Sequence, residues 1–205
     1  MKSVKSGLVF ATTIACAQYA IADAPRYSSY DASKAVSYTN RWATSKNPSY
    51  PFYGDPGMGG DCTNFASQVL RTGGWQYTIS REDKKITSWY VSLSGKTFTK
   101  SHTWSVADSL HRRLLVDPQE KSAKMVSSVE DLKPGDVVFM VKNKAAHHTM
   151  IVTQKVTTGW WWWKGTDIKV SYHNGGSNLP KADVSLKDMI ALNPSELFRF
   201  VSISS

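Results

Sequence analysis

The feature that most constrains the fold is a change in hydrophobic period along the chain. Up to about residue 117, apolar residues recur at helical spacing, whereas beyond residue 133 they alternate with the period of two that is typical of β-strands. Short connections between the later strands favour antiparallel pairing. Helices followed by strands are typical of an α+β domain with helices on one side of a sheet. The sequence therefore predicts an α+β fold with N-terminal helices packed on an antiparallel β-sheet.

The boundaries of these elements follow from capping residues and turns. Asp31 caps a predicted helix that extends to about Ser45, a second helix runs from Asp61 through Arg71, and a third begins at Ser105. Strands are predicted over residues 137–141, 148–156, 167–173 and 197–203.

Residues 1–22 resemble a secretory signal peptide. Two lysines precede an apolar segment that is too short to span a bilayer, and Ala20-Ile21-Ala22 supplies the small-x-small cleavage pattern. A buried N-terminal helix and lipid attachment at Cys16 are the alternatives. We expect cleavage after Ala22, export to the periplasm or the medium, and a single domain over residues 23–205.

Composition and charge narrow the class of protein. The 41% hydrophobic and 20% charged residues exclude a disordered chain and a polytopic membrane protein. Lysine and arginine number 25 against 16 acidic residues, which gives a net charge of +9. A partner bound through charge is therefore expected to be anionic, and wall polymer, anionic lipid and nucleic acid all fit that description.

Cys62 is the strongest candidate for a catalytic residue. After signal cleavage it is the only cysteine left, and exported proteins usually pair their thiols or lack them. A cysteine in the first turn of a helix lies in the positive field of unpaired backbone N–H groups, which favours the thiolate. We interpret Cys62 as a candidate nucleophile; a small buried side chain and an intermolecular link are the alternatives.

A thiol nucleophile needs a histidine that takes its proton and then protonates the leaving group. His147, His148 and His173 flank predicted strands. Alternation turns His147 and His148 to opposite faces, so only one of them can face Cys62. His173 could pair across from His148 and orient it. Unrelated surface histidines, or a zinc site that includes Cys62, are the alternatives.

Three segments carry a resemblance to a known family. They are DCTNFASQVL at 61–70, followed by Gly73-Gly74, then LKPGDVV at 132–138 and HTMIVT at 148–153. These motifs resemble the putative amidase domain family of secreted bacterial proteins, a branch of the papain-like superfamily close to the NlpC-type cell-wall peptidases. The likeness covers most of the chain after residue 22 and implies a papain-like, NlpC-like form of the α+β fold.

The resemblance implies roles for individual residues. Cys62 would be the nucleophile, His148 the general base and acid, and His173 the residue that orients His148, with Asn174 as the alternative for that last role. No cofactor and no metal are implied.

The resemblance also implies a tyrosine that helps to hold the oxyanion. Tyr50 occupies the matching position and Tyr53 is the alternative, while the backbone N–H of Cys62 would supply the other donor. Asp61 and Asn64 match the motif but are expected to be structural, as a helix cap and as polar packing.

The run of four tryptophans at Trp160, Trp161, Trp162 and Trp163 is expected at a hairpin. Because alternate side chains of a strand face opposite sides, the four rings cannot all be buried in one core. Plain packing, stacking on sugars and contact with a membrane interface or anionic surface remain open.

The expected function is that of a secreted cysteine amidase or peptidase acting on an amide bond of bacterial peptidoglycan through a Cys-His-His site. The alternatives are a non-catalytic wall- or membrane-binding module on the same fold, and an acyltransferase or transpeptidase that uses the same Cys-His pair. No nucleic-acid partner is expected. An immunity or inhibitor protein is expected only if the protein is an antibacterial toxin rather than an enzyme of its producer's wall.

Overall fold

The computed structural model describes residues 30–94, 97–116, 123–160, 163–174 and 181–203. The predicted signal peptide, residues 1–22, lies outside this set. In the described part of the chain, no helix is both long and apolar enough to cross a membrane.

The described residues form five α-helices and eight β-strands. The helices are α1 (Ala32–Trp42), α2 (Cys62–Thr72), α3 (His102–Ser105), α4 (Ala107–Val116) and α5 (Leu186–Leu192). The strands are β1 (Val91–Ser94), β2 (Thr97–Lys100), β3 (Ala123–Val126), β4 (Val137–Lys142), β5 (Ala145–Trp160), β6 (Trp163–Tyr172), β7 (Lys181–Ser185) and β8 (Leu197–Ile203).

The main sheet confirms the predicted fold class. Its six strands lie in the order β3-β8-β4-β5-β6-β7, and every neighbouring pair is antiparallel. Strands β1 and β2 form a separate antiparallel hairpin. The chain therefore has an α+β fold whose N-terminal helices pack on an antiparallel sheet.

The N-terminal helices pack on one face of the sheet, as predicted, whereas α5, which the sequence analysis does not predict, lies on the other face. Val137, Phe139 and Ile151 face the core that contains α2, whereas Val138 and Met150 face a second apolar cluster that includes Leu186 at the start of α5. Because β4 and β5 carry apolar side chains on both faces, both faces must be covered, and α5 contributes to the second cover.

Helix α2 is buried along most of its length. Every residue of 63–70 is buried, polar side chains included, because the sheet covers one side of α2 while α1, α3 and an aromatic cluster cover the rest. That cluster contains Trp75, Trp89 and Trp104, whose exposed fractions are 1% or less. Buried polar side chains on α2 must therefore find hydrogen-bond partners inside the protein.

The turn before β4 ties the start of the described chain to the sheet. Asp136 accepts hydrogen bonds from the backbone N–H of Lys133 and of Ile203, both at 2.8 Å. Tyr30 donates its hydroxyl to the carbonyl of Gly135, also at 2.8 Å. Gly135 has φ +96°, and a Cβ there would lie 3.0 Å from the Cβ of Ala32.

The first prediction concerns this turn. Gly135→Ala should destabilise the protein more than Gly57→Ala, since both positions have positive φ but only Gly135 has neighbours within 4 Å. The backbone conformation costs about 1–2 kcal/mol at either site, and overpacking against Ala32 should add about 1–3 kcal/mol at residue 135. Urea unfolding of both variants measures the difference in their free energies of unfolding. Equal losses of free energy would contradict the close approach of residue 135 to Ala32.

Candidate active site

Cys62 is the first residue of α2 and lies against β5. Its Sγ is 3.7 Å from Oγ1 of Thr63, and Thr63 Oγ1 is 3.0 Å from Oγ1 of Thr149 on β5. The side chain is half-buried. Burial raises the pKa of the Cys62 thiol, although hydrogen bonds from Thr63 and Thr149 oppose the shift. A thiol with a raised pKa needs a base before it can attack.

A cavity of about 490 Å³ opens beside Cys62. Its lining includes Cys62, Tyr53, Lys100, His102 and His147. The loop before α2, the end of β2, the start of α3 and the start of β5 therefore surround this cavity.

His147 is the histidine of the doublet that lines this cavity. Its Nε2 lies 2.8 Å from Oε2 of Glu196, and Oε1 of Glu196 accepts from Lys142 at 3.1 Å. A carboxylate only accepts, so Nε2 of His147 carries a hydrogen and the neutral ring keeps a lone pair on Nδ1. The hydrogen bond from His147 lowers the pKa of the Glu196 carboxyl below its ordinary value.

His148 lies on the other face of the sheet. It stands opposite Met140 in the β4–β5 register, and its ring packs edge-on against Tyr172 with centroids 4.7 Å apart. Both neighbours belong to the second apolar cluster. Burial, and after it the nearby His147, lowers the pKa of His148 to about 4. The expected arrangement with His148 facing Cys62 is not seen, because His148 pairs with Met140 on the other face while Thr149 faces α2. A register shift between Met140 and Val141 makes His147 an extra residue of β5, and this residue lines the cavity.

His173 is buried and makes two hydrogen bonds. Nδ1 lies 2.6 Å from Oδ2 of Asp61, and Nε2 lies 2.8 Å from the carbonyl oxygen of Trp42. Its ring stacks on Phe65 with centroids 4.0 Å apart. A carbonyl only accepts, so Nε2 donates to Trp42, while Nδ1 shares a hydrogen with the Asp61 carboxyl group. The expectation that His173 orients His148 is wrong, because neither ring nitrogen is left for that bond.

Asp61 is the centre of a buried polar network. Its Oδ1 accepts from the backbone N–H of Tyr53 and from Nδ2 of Asn64, both at 2.8 Å, and its Oδ2 accepts from His173. Asp61 occupies the N-cap position of α2, as predicted, but its side chain makes no capping hydrogen bond to the helix backbone. The carboxylate instead joins the loop before α2 to the end of β6.

Asn64 extends this network, as expected for polar packing. Its Oδ1 accepts from Nε1 of Trp104 at 2.7 Å, and its Nδ2 also donates to the carbonyl of Pro51 at 2.7 Å. The next turn of α2 continues the pattern, because Ser67 donates to the carbonyl of Trp104 at 2.9 Å. Sequence reasoning found these polar residues but not their partners, which come from distant segments.

The two candidate tyrosines occupy different places. Tyr50 stacks on Trp104 with centroids 5.9 Å apart and lines a separate cavity with Tyr77, so it does not lie at the cavity of Cys62. Tyr53 does line that cavity, and its buried hydroxyl has no hydrogen-bond partner among the described residues. Burial raises the pKa of Tyr53 to about 12, so its hydroxyl keeps its proton.

The remaining sequence candidates stay open. Asn174 follows β6, and its carbonyl oxygen would lie 3.0 Å from a Cβ added at Gly54.

Trp160 and Trp163 are paired in the backbone register at the tip of the β5–β6 hairpin, where the sequence predicts a hairpin. Residues 161 and 162 lie outside the described set. Within the described ranges, no group of three or more His, Cys, Asp or Glu side chains could hold a metal ion.

The second prediction tests the buried pair of Asp61 and His173. Asp61→Asn should destabilise the protein by about 1–3 kcal/mol, because it replaces an oxygen acceptor by an amide donor inside a buried hydrogen-bond network. Asp55→Asn, in the exposed loop before α2, should have little effect and serves as the control. The double variant Asp61→Asn/His173→Gln should cost less than the sum of the two single changes in urea unfolding. Additive losses would rule out the pairing.

The third prediction concerns His148 and pH. Its pKa is about 4 in the folded protein against 6.5 as an ordinary histidine, so the unfolded chain binds the extra proton between these values. Stability from this group is therefore complete above pH 6.5 and falls as the pH drops toward 4, by about 2–3 kcal/mol at pH 4.5.

His148→Phe keeps an aromatic ring against Tyr172 but cannot bind a proton. The loss of unfolding free energy between pH 7.5 and pH 4.5 should therefore be smaller in this variant than in the wild type. His102→Gln, at an exposed position, should show the wild-type loss. An unchanged pH dependence in His148→Phe would contradict the burial of a neutral His148.

Comparisons with known proteins identify the family of this chain. The chain matches the putative amidase domain over residues 29–201. It is 32% identical over 109 residues to an uncharacterized protein, YhbB, from Bacillus subtilis (strain 168). That alignment covers 53% of this chain and 32% of YhbB, so the chain spans about a third of the length of that relative. No solved structure matches. From the family match over most of its length, the chain belongs to the putative amidase domain family.

Proposed function

We propose that the protein is a cysteine-dependent amide hydrolase. The observation that carries this proposal is the shared lining of one cavity by Cys62, His147 and Tyr53. These residues supply a nucleophile, a base held by a carboxylate, and a protonated hydroxyl without a partner among the described residues. Membership in an amidase family supports the reaction class.

In the proposed reaction, Nδ1 of His147 takes the proton of the Cys62 thiol, and the thiolate attacks the amide carbonyl carbon. The backbone N–H of Cys62, at the start of α2, and the hydroxyl of Tyr53 donate to the oxyanion that forms. His147 then gives its proton to the leaving amine, and a thioester remains on Cys62. Water, deprotonated by His147, hydrolyses the thioester and releases the acid.

The support for His147 as the base is geometric. It lines the cavity of Cys62, and Glu196 holds Nε2 so that the lone pair lies on Nδ1. His148 is the base that the family resemblance implies, although its ring packs against Tyr172. The two histidines are adjacent in sequence and make different contacts, so single variants separate their roles.

We propose peptidoglycan as the substrate, hydrolysed after export. The support is the resemblance to wall-acting NlpC-type enzymes, the signal-like residues 1–22, and the net charge of +9 of the full chain, of which cleavage after Ala22 would remove only the two lysines Lys2 and Lys5.

The fourth prediction tests this function. Incubation with purified sacculi should release muropeptides, which mass spectrometry detects as fragments one water heavier for each cut. Cys62→Ala should release none. His147→Gln should lower the rate by about 10²–10⁴-fold if His147 is the base, whereas His148→Gln should lower it far less.

A pair of tyrosine variants tests the oxyanion site. Tyr53→Phe should lower kcat by about 10²-fold, because it removes one donor to the oxyanion. Tyr50→Phe, in the separate aromatic cluster, should leave kcat near the wild-type value and is the matched control.

Other outcomes would assign other functions. Loss of activity in His148→Gln but not in His147→Gln would make His148 the base. Intact sacculi that retain bound protein would indicate the binding module. Products in which an amine, rather than water, has taken the acyl group would indicate the acyltransferase or transpeptidase.

A further inference from the structure

We propose that the Cys62 cavity selects peptides with a free carboxylate close to the cleaved amide, and that Lys100 is the side chain that recognises this carboxylate. The inference rests on the proposed function, because it names the substrate class of the same site. Its physical basis is the charge of the cavity and the position of one ammonium group.

The cavity is lined by basic and neutral residues. Lys100, His102 and His147 line it, and none of the lining residues found in the described chain is an aspartate or glutamate. Three carboxyl groups contact lining residues without lining the cavity themselves, and all three are engaged. Glu196 binds His147 and Lys142, Asp108 accepts the backbone N–H of Ala146 at 3.1 Å, and Asp61 accepts the backbone N–H of Tyr53 and bonds to His173.

Lys100 is the group in this lining that is best placed to bind an anion. It is the last residue of β2, and its ammonium lies 4.6 Å from the ring centroid of Tyr53. No carboxylate of the described residues lies within ion-pair distance of Lys100, whereas Lys142 and Lys169 each pair with one. A cation that is held over a ring and not neutralised keeps its charge for a ligand.

The contact with Tyr53 also sets where the ligand would sit. Lys100 packs on the ring of Tyr53, the residue that we propose as oxyanion donor. Its ammonium would therefore be separated from the carbonyl of a bound substrate by about the length of the tyrosine side chain. A carboxylate bound to this ammonium would therefore belong to the residue that carries the cleaved amide or to its immediate neighbour. A charge-assisted hydrogen bond would distinguish it from the neutral carboxamide.

The experiment compares two soluble muropeptides that differ only in one group next to the cleaved amide, a free carboxylate or its carboxamide. Wild-type protein should cleave the acid with about a tenfold higher kcat/KM than the amide, as expected for one hydrogen bond to a charged group. Lys100→Met should abolish this preference, so that it cleaves the acid no faster than the carboxamide. Circular dichroism and urea unfolding show independently of activity whether the variant is folded.

Two further variants sharpen the assignment. Lys100→Arg should retain most of the preference, since it keeps the positive charge. Lys46→Met should retain all of it, because Lys46 contacts the Phe52 ring at 5.5 Å but does not line the cavity. Loss of the preference in Lys46→Met to the same extent as in Lys100→Met would overturn the assignment to Lys100.

Calorimetric binding to the Cys62→Ala variant separates failure of this inference from failure of the proposed function. If the wild type cleaves neither peptide but Cys62→Ala binds the acid more tightly, and Lys100→Met removes that difference, the hydrolase proposal fails and the inference stands. If the wild type cleaves both peptides equally well, the inference is overturned and the hydrolase stands. Equal or absent binding of both peptides, with no cleavage, overturns the inference as well.

Discussion

The structure around Cys62 depends on the buried pair of Asp61 and His173. Their exposed fractions are 1% and 2%, and removing such polar groups from water is costly unless their donors and acceptors find partners. Here the carboxyl group of Asp61 bonds to Tyr53, Asn64 and His173, and the imidazole of His173 also donates to the carbonyl of Trp42. The pair thereby joins α1, the loop before α2, the start of α2 and the end of β6. The position of Cys62, the residue after Asp61, follows from that junction.

Coverage of the sheet on both faces decides the local roles of the histidines. Strand β5 passes between the α2 core and the second cluster, so adjacent residues lie in different environments. His147 reaches the cavity and a carboxylate, whereas His148 packs on Tyr172. His173 is engaged by the buried pair. The three histidines that the sequence suggests as parts of a catalytic site therefore lie in different environments. His147 lines the cavity, His148 packs in the second apolar cluster, and His173 bonds to Asp61.

The polar groups of the site differ in how many of their hydrogen-bonding atoms have partners. Asp61 and Asn64 are fully engaged within the protein and stabilise its architecture, so they have little left to offer a substrate. Within the described chain, the Tyr53 hydroxyl lacks a hydrogen-bond partner and Lys100 lacks a carboxylate partner, and both line the cavity. Polar side chains without such partners, in residues that line a cavity beside a thiol, suit the anionic ligand proposed above.

The sequence by itself determined the α+β class, the start of α2 near Asp61 and strand β8, which spans residues 197–203 as expected. These features depend on local periodicity and capping, which operate within one or two turns. Only the tertiary structure decided that α5 covers the second face, that Tyr53 rather than Tyr50 lines the cavity, and that His147 rather than His148 does so. Alternation shows that two neighbours face opposite sides but not which side meets α2. The Asp61–His173 pair joins residues 112 positions apart, a distance over which local pattern carries no information.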